Sequence, residues 1–168
     1  MNALNIALRP ALPADAPTLL ALARDAIDEL AAEDYDEAQR GAWIEALEDG
    51  FAERLAKSLA LVATIGGAPI GFATLVDNAK IDLLYVDPRA ARRGAADTLL
   101  DALERLAGAR GASAVVADAS DVAKPLFDKR GYAAQRRNTV PLGDEWLATT
   151  TMRKAFRTEA NDNSPRGI

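Results

Sequence analysis

The spacing of the apolar positions changes along the chain and divides it into helical and extended stretches. Residues 13–30 and 93–109 repeat apolar side chains every three or four positions, which is typical of helices with one buried face. Residues 59–65, 69–77 and 80–88 are short apolar runs separated by turns that contain glycine or asparagine. These runs predict a meander of three strands, with helices before and after it.

The other segments predict further strands and helices, in the overall order β-α-α-β-β-β-α-β-α-β-β. Strands are expected at 5–10, 113–119, 131–137 and 146–156, and helices at 35–47 and 121–129, with a further short helix at 51–57. This order indicates an α/β fold in which a mixed sheet of six to seven strands carries helices on both faces. The length suits a single domain, assigned to residues 1–157, and the polar residues 158–168 are expected to form a disordered tail.

Two residue types are missing from the composition, and each excludes a class of chemistry. The chain has no cysteine, which excludes disulfides, thiolate metal sites and cysteine nucleophiles. It also has no histidine, the commonest general base and metal ligand. Acid–base chemistry must therefore use carboxylates, tyrosine, lysine, the substrate or water, and no metal is expected.

The hydropathy and charge of the chain narrow its partners. No apolar run approaches the roughly 18 residues needed to span a bilayer, and the first residues do not resemble a secretory signal, so a cytoplasmic protein without a membrane partner is expected. The net charge of −5 argues against binding nucleic acid. Ten acidic residues lie between Asp28 and Glu53, against the single base Arg40. This excess either serves solubility alone or attracts a cation.

The stretch RAARRGAADTLL, residues 89–100, precedes the strongest helical pattern. At a helix start the first N–H groups lack partners, and the small Gly94, Ala95 and Ala96 would let a diphosphate approach them. Arg92 and Arg93 would add charged donors at the rim. The same letters also fit an ordinary helix start with solvated arginines, so the loop alone leaves both interpretations open.

Four segments together resemble the GNAT superfamily of N-acetyltransferases. V-D-P-R-A-A-R-R-G-A-A-D-T-L-L is similar to motif A of that family, and A-S-D-V-A-K-P-L-F-D-K-R-G-Y is similar to motif B. I-A-L-R-P-A-L-P-A-D-A resembles the first strand and helix, and A-P-I-G-F-A-T-L resembles a hairpin strand. With a final strand at W-L-A-T-T-T-M-R-K, the resemblance covers about residues 5 to 156.

The resemblance implies that acetyl-CoA binds in a V-shaped gap between the fourth and fifth strands. Backbone groups of Leu84, Tyr85 and Val86 would pair with the pantetheine arm. The pyrophosphate would lie on the N–H groups of the segment that runs through Arg92, Arg93, Gly94, Ala95, Ala96 and Asp97, with the Asp97 side chain turned outward. Ser120, Lys124 and Phe127 of the motif B segment would also contact the cofactor.

The chain departs from the family pattern at two positions. Ala91 replaces the usual glutamine or arginine of motif A, and Phe127 replaces the tyrosine regarded as the acid that protonates the leaving thiolate. A phenyl ring cannot donate a proton, so this role is vacant or belongs to another group. A subgroup of the family with the pattern A-S-x-x-A-x-x-x-F looks like this chain, so Phe127 does not by itself indicate an inactive protein. The alternative to an enzyme is a non-catalytic acyl-CoA-binding or regulatory module with the same fold.

In enzymes of this family the acceptor amine attacks the thioester directly, and a base removes its proton. Strand 80–88 offers Asp82 and Tyr85, which simple alternation places on opposite faces. Asp82 is the first candidate for the base; the alternative is a structural carboxylate held by a backbone donor or an arginine. A backbone N–H near Tyr85 would polarise the thioester oxygen.

The expected acceptor is a small cationic primary amine, because the first two helices of this fold border the acceptor site and carry the acidic excess. Trp43 and Trp146 are expected in the core or in the wall of the acceptor pocket. The sequence neither requires nor excludes a homodimer.

Overall fold

One seven-stranded sheet organises the structure, a computed structural model that describes residues 5–156. Its strands are β1 (Ile6–Pro10), β2 (Leu59–Ile65), β3 (Ala68–Val76), β4 (Lys80–Val86), β5 (Ala114–Ser120), β6 (Ala133–Leu142) and β7 (Glu145–Ala155). They lie side by side in the order β1-β2-β3-β4-β5-β7-β6. All neighbours are antiparallel except β4 and β5, which are parallel. The predicted α/β fold with a mixed sheet is confirmed, whereas the expected tail lies outside the described residues.

Helices cover both faces of this sheet, as expected. They are α1 (Ala16–Leu30), α2 (Glu37–Glu48), α3 (Phe51–Ala56), α4 (Ala95–Ala109) and α5 (Lys124–Lys129). On the first face, α1, α2 and α3 enclose an apolar core with β2, β3 and β4. On the second face, α4 and α5 enclose a larger core that also includes β5 and β7. None of the helices within residues 5–156 is long and apolar enough to cross a membrane.

The sixth strand is longer than the pattern predicts. It was expected to end at residue 137 but continues to Leu142, and the hairpin turn lies at Gly143. β6 is at the edge of the sheet, so nearly all its side chains are exposed and show no alternation of apolar and polar positions. Pro141 also obscures the strand in the sequence, but an edge strand tolerates proline on its unpaired side.

A β-bulge in β4 changes which side chains face the helices. Ile81 pairs with Leu75 and Leu83 pairs with Thr74, so Asp82 is an extra residue without an opposite partner on β3. As a result, Ile81 lies in the second-face core, whereas Leu83 lies in the first-face core.

The bulge corrects the expectation that Asp82 and Tyr85 point to opposite faces. Asp82 binds Arg54 of α3, and Tyr85 binds Trp43 of α2, so both side chains reach the first face. Strict alternation fails here because one extra residue reverses the direction of every side chain beyond it.

The parallel strands β4 and β5 pair only where the beginning of β4 lies beside the middle of β5. Their register consists of two pairs, Lys80 with Val116 and Ile81 with Ala117. Beyond Ile81 no residue of β5 pairs with β4 within the described chain, so the two strands separate. The sheet therefore contains a gap between its fourth and fifth strands, as the resemblance implies.

A buried carboxylate ties the second-face helices to the end of the sheet. Glu104 of α4 is 8% exposed and accepts hydrogen bonds from Tyr132, Arg130 and Lys154. Burial alone would lower the pKa of Arg130, but Glu104 and Asp97 outweigh it and raise that pKa. The network fixes α4 and the end of α5 relative to β7, and thereby holds one side of the gap.

Replacing Glu104 by alanine should lower the free energy of unfolding by about 2–4 kcal/mol, because two cations then lose a buried partner. Urea unfolding monitored by circular dichroism measures this loss. The control is Asp101→Ala, one turn earlier on α4. Asp101 is more exposed and lies 3.9 Å from the same Arg130, so the expected change is within about 0.5 kcal/mol. Equal losses in the two variants would show that Glu104 does not hold the helix in place.

Candidate active site

A cavity of about 350 Å³ lies at the gap between β4 and β5. Its lining includes Trp43 and Tyr85 of the first face, together with Leu84 and Phe127 of the second. The cavity therefore reaches both faces of the sheet, and a molecule on one face can meet a molecule on the other inside it.

The edge of β4 presents backbone groups to this gap. The N–H of Leu83 donates to Thr74 Oγ1 at 3.0 Å, and the N–H of Asp87 donates to the Ile70 carbonyl at 2.8 Å, so both point toward β3. Because backbone groups alternate in direction along a strand, those of Leu84 and Val86 point toward the gap. An extended ligand could pair with these two residues as an added strand would.

The backbone of Tyr85 points the other way, which corrects the expectation for this residue. Its carbonyl oxygen faces β3, where it lies 3.0 Å from the position that a Cβ on Gly71 would occupy. Gly71 is therefore small because β4 approaches it closely. Tyr85 contributes its side chain to the cavity, and not its backbone.

The N-terminus of α4 has a glycine before it and backbone N–H groups that lack acceptors within the helix. Gly94 precedes the helix with φ +89°, a conformation that glycine adopts without strain. The N–H of Thr98 makes the first bond of the helix, to the Gly94 carbonyl at 3.0 Å. The N–H groups of Ala95, Ala96 and Asp97 precede it and have no acceptor within the helix. A Cβ on Gly94 would meet no protein atom within 4 Å, so the backbone conformation, not crowding, requires glycine here.

Charged side chains surround this helix start in the arrangement that the sequence suggests. Arg92 and Arg93 are exposed, and Arg92 has a positive φ of 63°. Asp97 turns outward to Arg130, with 3.2 Å between carboxylate and guanidinium. The only acid in the first turn is thereby neutralised, and the dipole of α4 remains favourable to an anion.

The motif B residues divide into two groups. Ser120 and Phe127 line the cavity, and Ser120 Oγ accepts the N–H of Ala123 at 3.2 Å, which leaves its own proton free to donate. Lys124 instead binds Asp128 one turn later at 2.8 Å and does not line the cavity.

Phe127 is buried and packs edge-on against Tyr132, with 4.8 Å between the ring centres. The Tyr132 hydroxyl donates to Glu104 at 3.1 Å, and burial together with this carboxylate raises the pKa of Tyr132. Tyr132 is absent from the cavity lining and so does not replace the missing tyrosine at position 127.

On the first face, Arg54 holds Asp82 in a two-bond ion pair. Arg54 Nε and Nη2 lie 2.7 and 2.9 Å from the two carboxylate oxygens, and the pair raises the pKa of Arg54. One alternative for Asp82, a carboxylate held by an arginine, is therefore realised. This ion pair also leaves Asp82 able to act as a base, because a carboxylate has about four acceptor positions and Arg54 uses two of them.

The Tyr85 hydroxyl is oriented by a second aromatic residue. Trp43 Nε1–H donates to Tyr85 Oη at 3.0 Å, so the Tyr85 proton must point elsewhere, and no acceptor for it exists among residues 5–156. Burial raises the pKa of Tyr85 to about 12, although the Trp43 hydrogen bond and Arg54 oppose the shift. Tyr85 is therefore a neutral hydrogen-bond donor at ordinary pH, and not a base.

Arg54 was not among the predicted site residues, and of the two tryptophans only Trp43 lines the cavity. Arg54 lies on a short helix with no distinguishing pattern, and only the folded chain brings it to Asp82. Trp43 lines the cavity as expected, whereas Trp146 is 58% exposed and outside it, so that expectation was wrong.

The acidic excess lies near the cavity but not in it. All ten acidic residues between Asp28 and Glu53 are exposed, and none lines the cavity. The acids that do line it, Asp82 and Asp118, are paired with Arg54 and Lys80. The excess can therefore act on a ligand only through its long-range field.

Comparison with known proteins agrees with this geometry. Residues 31–156 match the acetyltransferase (GNAT) domain family. The uncharacterized N-acetyltransferase YafP of Escherichia coli (strain K12) is 34% identical over 149 residues, which cover 89% of this chain and 95% of that protein.

Two solved structures extend the comparison. A GCN5-related N-acetyltransferase (aminotransferase, class II) from Rhodopseudomonas palustris is 51% identical, with a TM-score of 0.87 and coverage of 89% of this chain and 95% of that one. The PaiA N-acetyltransferase of Thermoplasma acidophilum, in complex with coenzyme A, is 20% identical and shares the fold, with a TM-score of 0.75 and coverage of 90% and 99%. The chain therefore belongs to the GNAT superfamily of N-acetyltransferases and is an acyltransferase of that family.

Proposed function

We propose that the protein moves the acetyl group of acetyl-CoA directly to a primary amine, and that this amine is small and cationic. The observation that carries the proposal is the cavity at the gap between β4 and β5. It joins a strand edge on one side to a carboxylate and a hydroxyl on the other. The start of α4 follows β4 in the chain after the connection 87–94.

Acetyl-CoA would enter from the second face. Its pantetheine arm, which carries amide groups, would pair with the backbone of Leu84 and Val86 across the gap. Its pyrophosphate would lie on the N–H groups of residues 94–97, with Arg92 and Arg93 at the rim. Ser120 and Phe127 would contact the arm from the other side. The PaiA protein of the same fold holds coenzyme A.

The amine would enter from the first face and react inside the gap. Its nitrogen lone pair attacks the thioester carbonyl carbon, and the carbon–sulfur bond breaks. Coenzyme A leaves as a thiolate, which takes up, directly or through water, the proton that the new amide nitrogen loses. The ammonium proton must be removed first, and Asp82 would accept it, directly or through water. Arg54 keeps the carboxylate oriented, and Asp82 retains acceptor positions for this task.

Tyr85 would stabilise the negative charge that develops on the reacting thioester. Trp43 occupies one lone pair of the Tyr85 oxygen, so the hydroxyl proton is available to the cavity. With a pKa of about 12, Tyr85 would keep this proton and act by hydrogen bonding. This role differs from the proton transfer that the family assigns to a tyrosine at position 127.

Phe127 favours the non-catalytic alternative, because it cannot donate a proton. Asp82 and Tyr85 favour catalysis, because both meet in the cavity on the side from which an amine would enter. The cytoplasmic location and the homodimer stay predictions of the sequence.

The proposed function is tested by thiol release from acetyl-CoA in the presence of amines of different charge. Primary alkylamines and polyamines should react faster than amines that are neutral or anionic at pH 7. The kcat/KM for cationic amines should fall several-fold between low and high salt, because the exposed acids act through a screened field. A preference for neutral or acidic acceptors would show that the acceptor is not selected by charge.

The pyrophosphate site is tested by exchanging Gly94 for valine. We expect acetyl-CoA binding to weaken by about 100-fold or more, because a side chain at φ +89° strains the loop and would occupy the phosphate position. Arg93→Ala should weaken it only several-fold. Isothermal titration calorimetry measures both.

The matched control is Gly111→Val at the other end of α4. Gly111 has φ +93° and equally open surroundings, so it carries the same backbone strain without the proposed phosphate. If Gly111→Val or Arg93→Ala impairs binding as much as Gly94→Val, the phosphate does not lie on this helix start.

The role of Asp82 is tested by the pH dependence of Asp82→Asn. At neutral pH the variant should lose about 100-fold in kcat/KM, because no carboxylate accepts the ammonium proton. The deficit should shrink as the pH approaches the pKa of the amine, where the free amine is already neutral.

The matched control is Asp15→Asn. Asp15 forms a similar two-bond ion pair with Arg9, at 2.7 and 2.9 Å, away from the cavity. Its loss should leave the pH profile unchanged. A deficit in Asp82→Asn that is the same at every pH would assign Asp82 to structure alone.

A further inference from the structure

The first-face side of the cavity has a polar end and an apolar end. The polar end carries the ion pairs of Asp82 with Arg54 and of Asp118 with Lys80. The apolar end is lined by Leu30 of α1, Val122 of the connection after β5, Val140 and Leu142 of β6, and Leu147 of β7.

The register of the sheet separates these two ends. Asp118 of β5 pairs with Thr151 of β7, and Leu147 lies four residues before Thr151 on β7. Because β5 and β7 are antiparallel, Leu147 lies in the direction in which β5 ends. At about 3.3 Å per residue, this places Leu147 about 13 Å beyond the polar end. Val140 pairs with Leu147 across the β6–β7 hairpin, so it lies at the same level.

The apolar end contains large apolar side chains that are exposed to solvent, unlike those of the core. Four large apolar side chains are prominently exposed within residues 5–156, and two of them, Leu30 and Val140 at 36% each, line this cavity. They belong to α1 and β6, so they come from different walls. Isolated exposed leucines are common, but apolar side chains that converge on a concave site are typical of ligand pockets.

The apolar end offers no carboxylate to a second positive charge. The ten acids between Asp28 and Glu53 are outside the cavity, and the two acids inside it are already paired. A diamine with one nitrogen at Asp82 would place its other ammonium against leucine and valine, which costs free energy without a compensating partner.

We propose that the acceptor is a primary monoamine with an alkyl or aromatic substituent, whose amine lies at Asp82 and whose apolar part lies against Leu30, Val140 and Leu147. This inference rests on the proposed acetyl transfer and defines its substrate class. A single positive charge is enough for the acidic field to attract such an amine. The apolar end then determines which cationic amines react.

The experiment compares two acceptors of the same length, hexylamine and 1,6-diaminohexane, which differ by a second ammonium at the far end. Thiol release from acetyl-CoA should give hexylamine a kcat/KM at least 10-fold higher. Within the series propylamine, butylamine and hexylamine, kcat/KM should rise by about threefold per added methylene, because each one buries apolar surface.

Variants of the apolar end locate the effect. Leu30→Asn and Val140→Thr should raise the KM for hexylamine about 5-fold while leaving the KM values for propylamine and acetyl-CoA unchanged. Both positions are partly exposed, and threonine suits a strand, so both variants should fold. Leu12→Asn is the control: Leu12 is 59% exposed and outside the cavity, and its loss should change none of these values.

The outcomes separate this inference from the proposed function. Equal or better use of 1,6-diaminohexane, or variants that affect propylamine and hexylamine alike, would overturn the apolar acceptor pocket and leave amine acetylation standing. No thiol release with any amine would overturn both.

Discussion

The short parallel contact between β4 and β5 is the constraint on which the rest of the structure depends. Two register pairs join the beginning of β4 to the middle of β5, and beyond Ile81 the ladder is missing. Strands without a ladder leave backbone groups unpaired, which a protein interior tolerates only where a ligand or water can pair with them. The gap therefore provides a strand edge for an extended cofactor and joins the two faces of the sheet. Under the proposed function, acetyl transfer would occur where the two faces meet.

Two polar anchors fix the helices of the two faces to the strands and turns beside this gap. On the second face, Glu104 of α4 binds Arg130 and Tyr132 at the end of α5 and Lys154 of β7. On the first face, the buried Tyr35 hydroxyl donates to the Ala148 carbonyl at 2.6 Å and accepts the N–H of Asp121 at 2.9 Å. Tyr35 thereby joins the α1–α2 connection to β7 and to the turn after β5. Both anchors lie outside the reacting groups, so they can be rigid without interfering with the ligands.

The acidic residues and the side chains that line the cavity form two separate sets. The exposed acids of α1, α2 and their connection create a negative field, but they do not enter the cavity. Inside, the carboxylates are neutralised by Arg54 and Lys80, and the rest of the first-face lining is mostly apolar. Long-range charge can therefore bring a cation to the mouth, whereas the lining decides what part of it fits.

Much of this protein could be predicted from the sequence by itself, because local patterns carry the information. The spacing of apolar residues determined the helices and strands, and small residues at 94–96 marked the helix start that can receive an anion. The full length of the edge strand β6 was not predicted, because its exposed side chains show no alternation of apolar and polar positions. The bulge at Asp82, the direction of the Tyr85 backbone and the pairing of Asp82 with Arg54 were decided only by the tertiary structure. Each of these depends on partners distant in the chain, and one inserted residue in a strand reverses its faces without leaving a local signal.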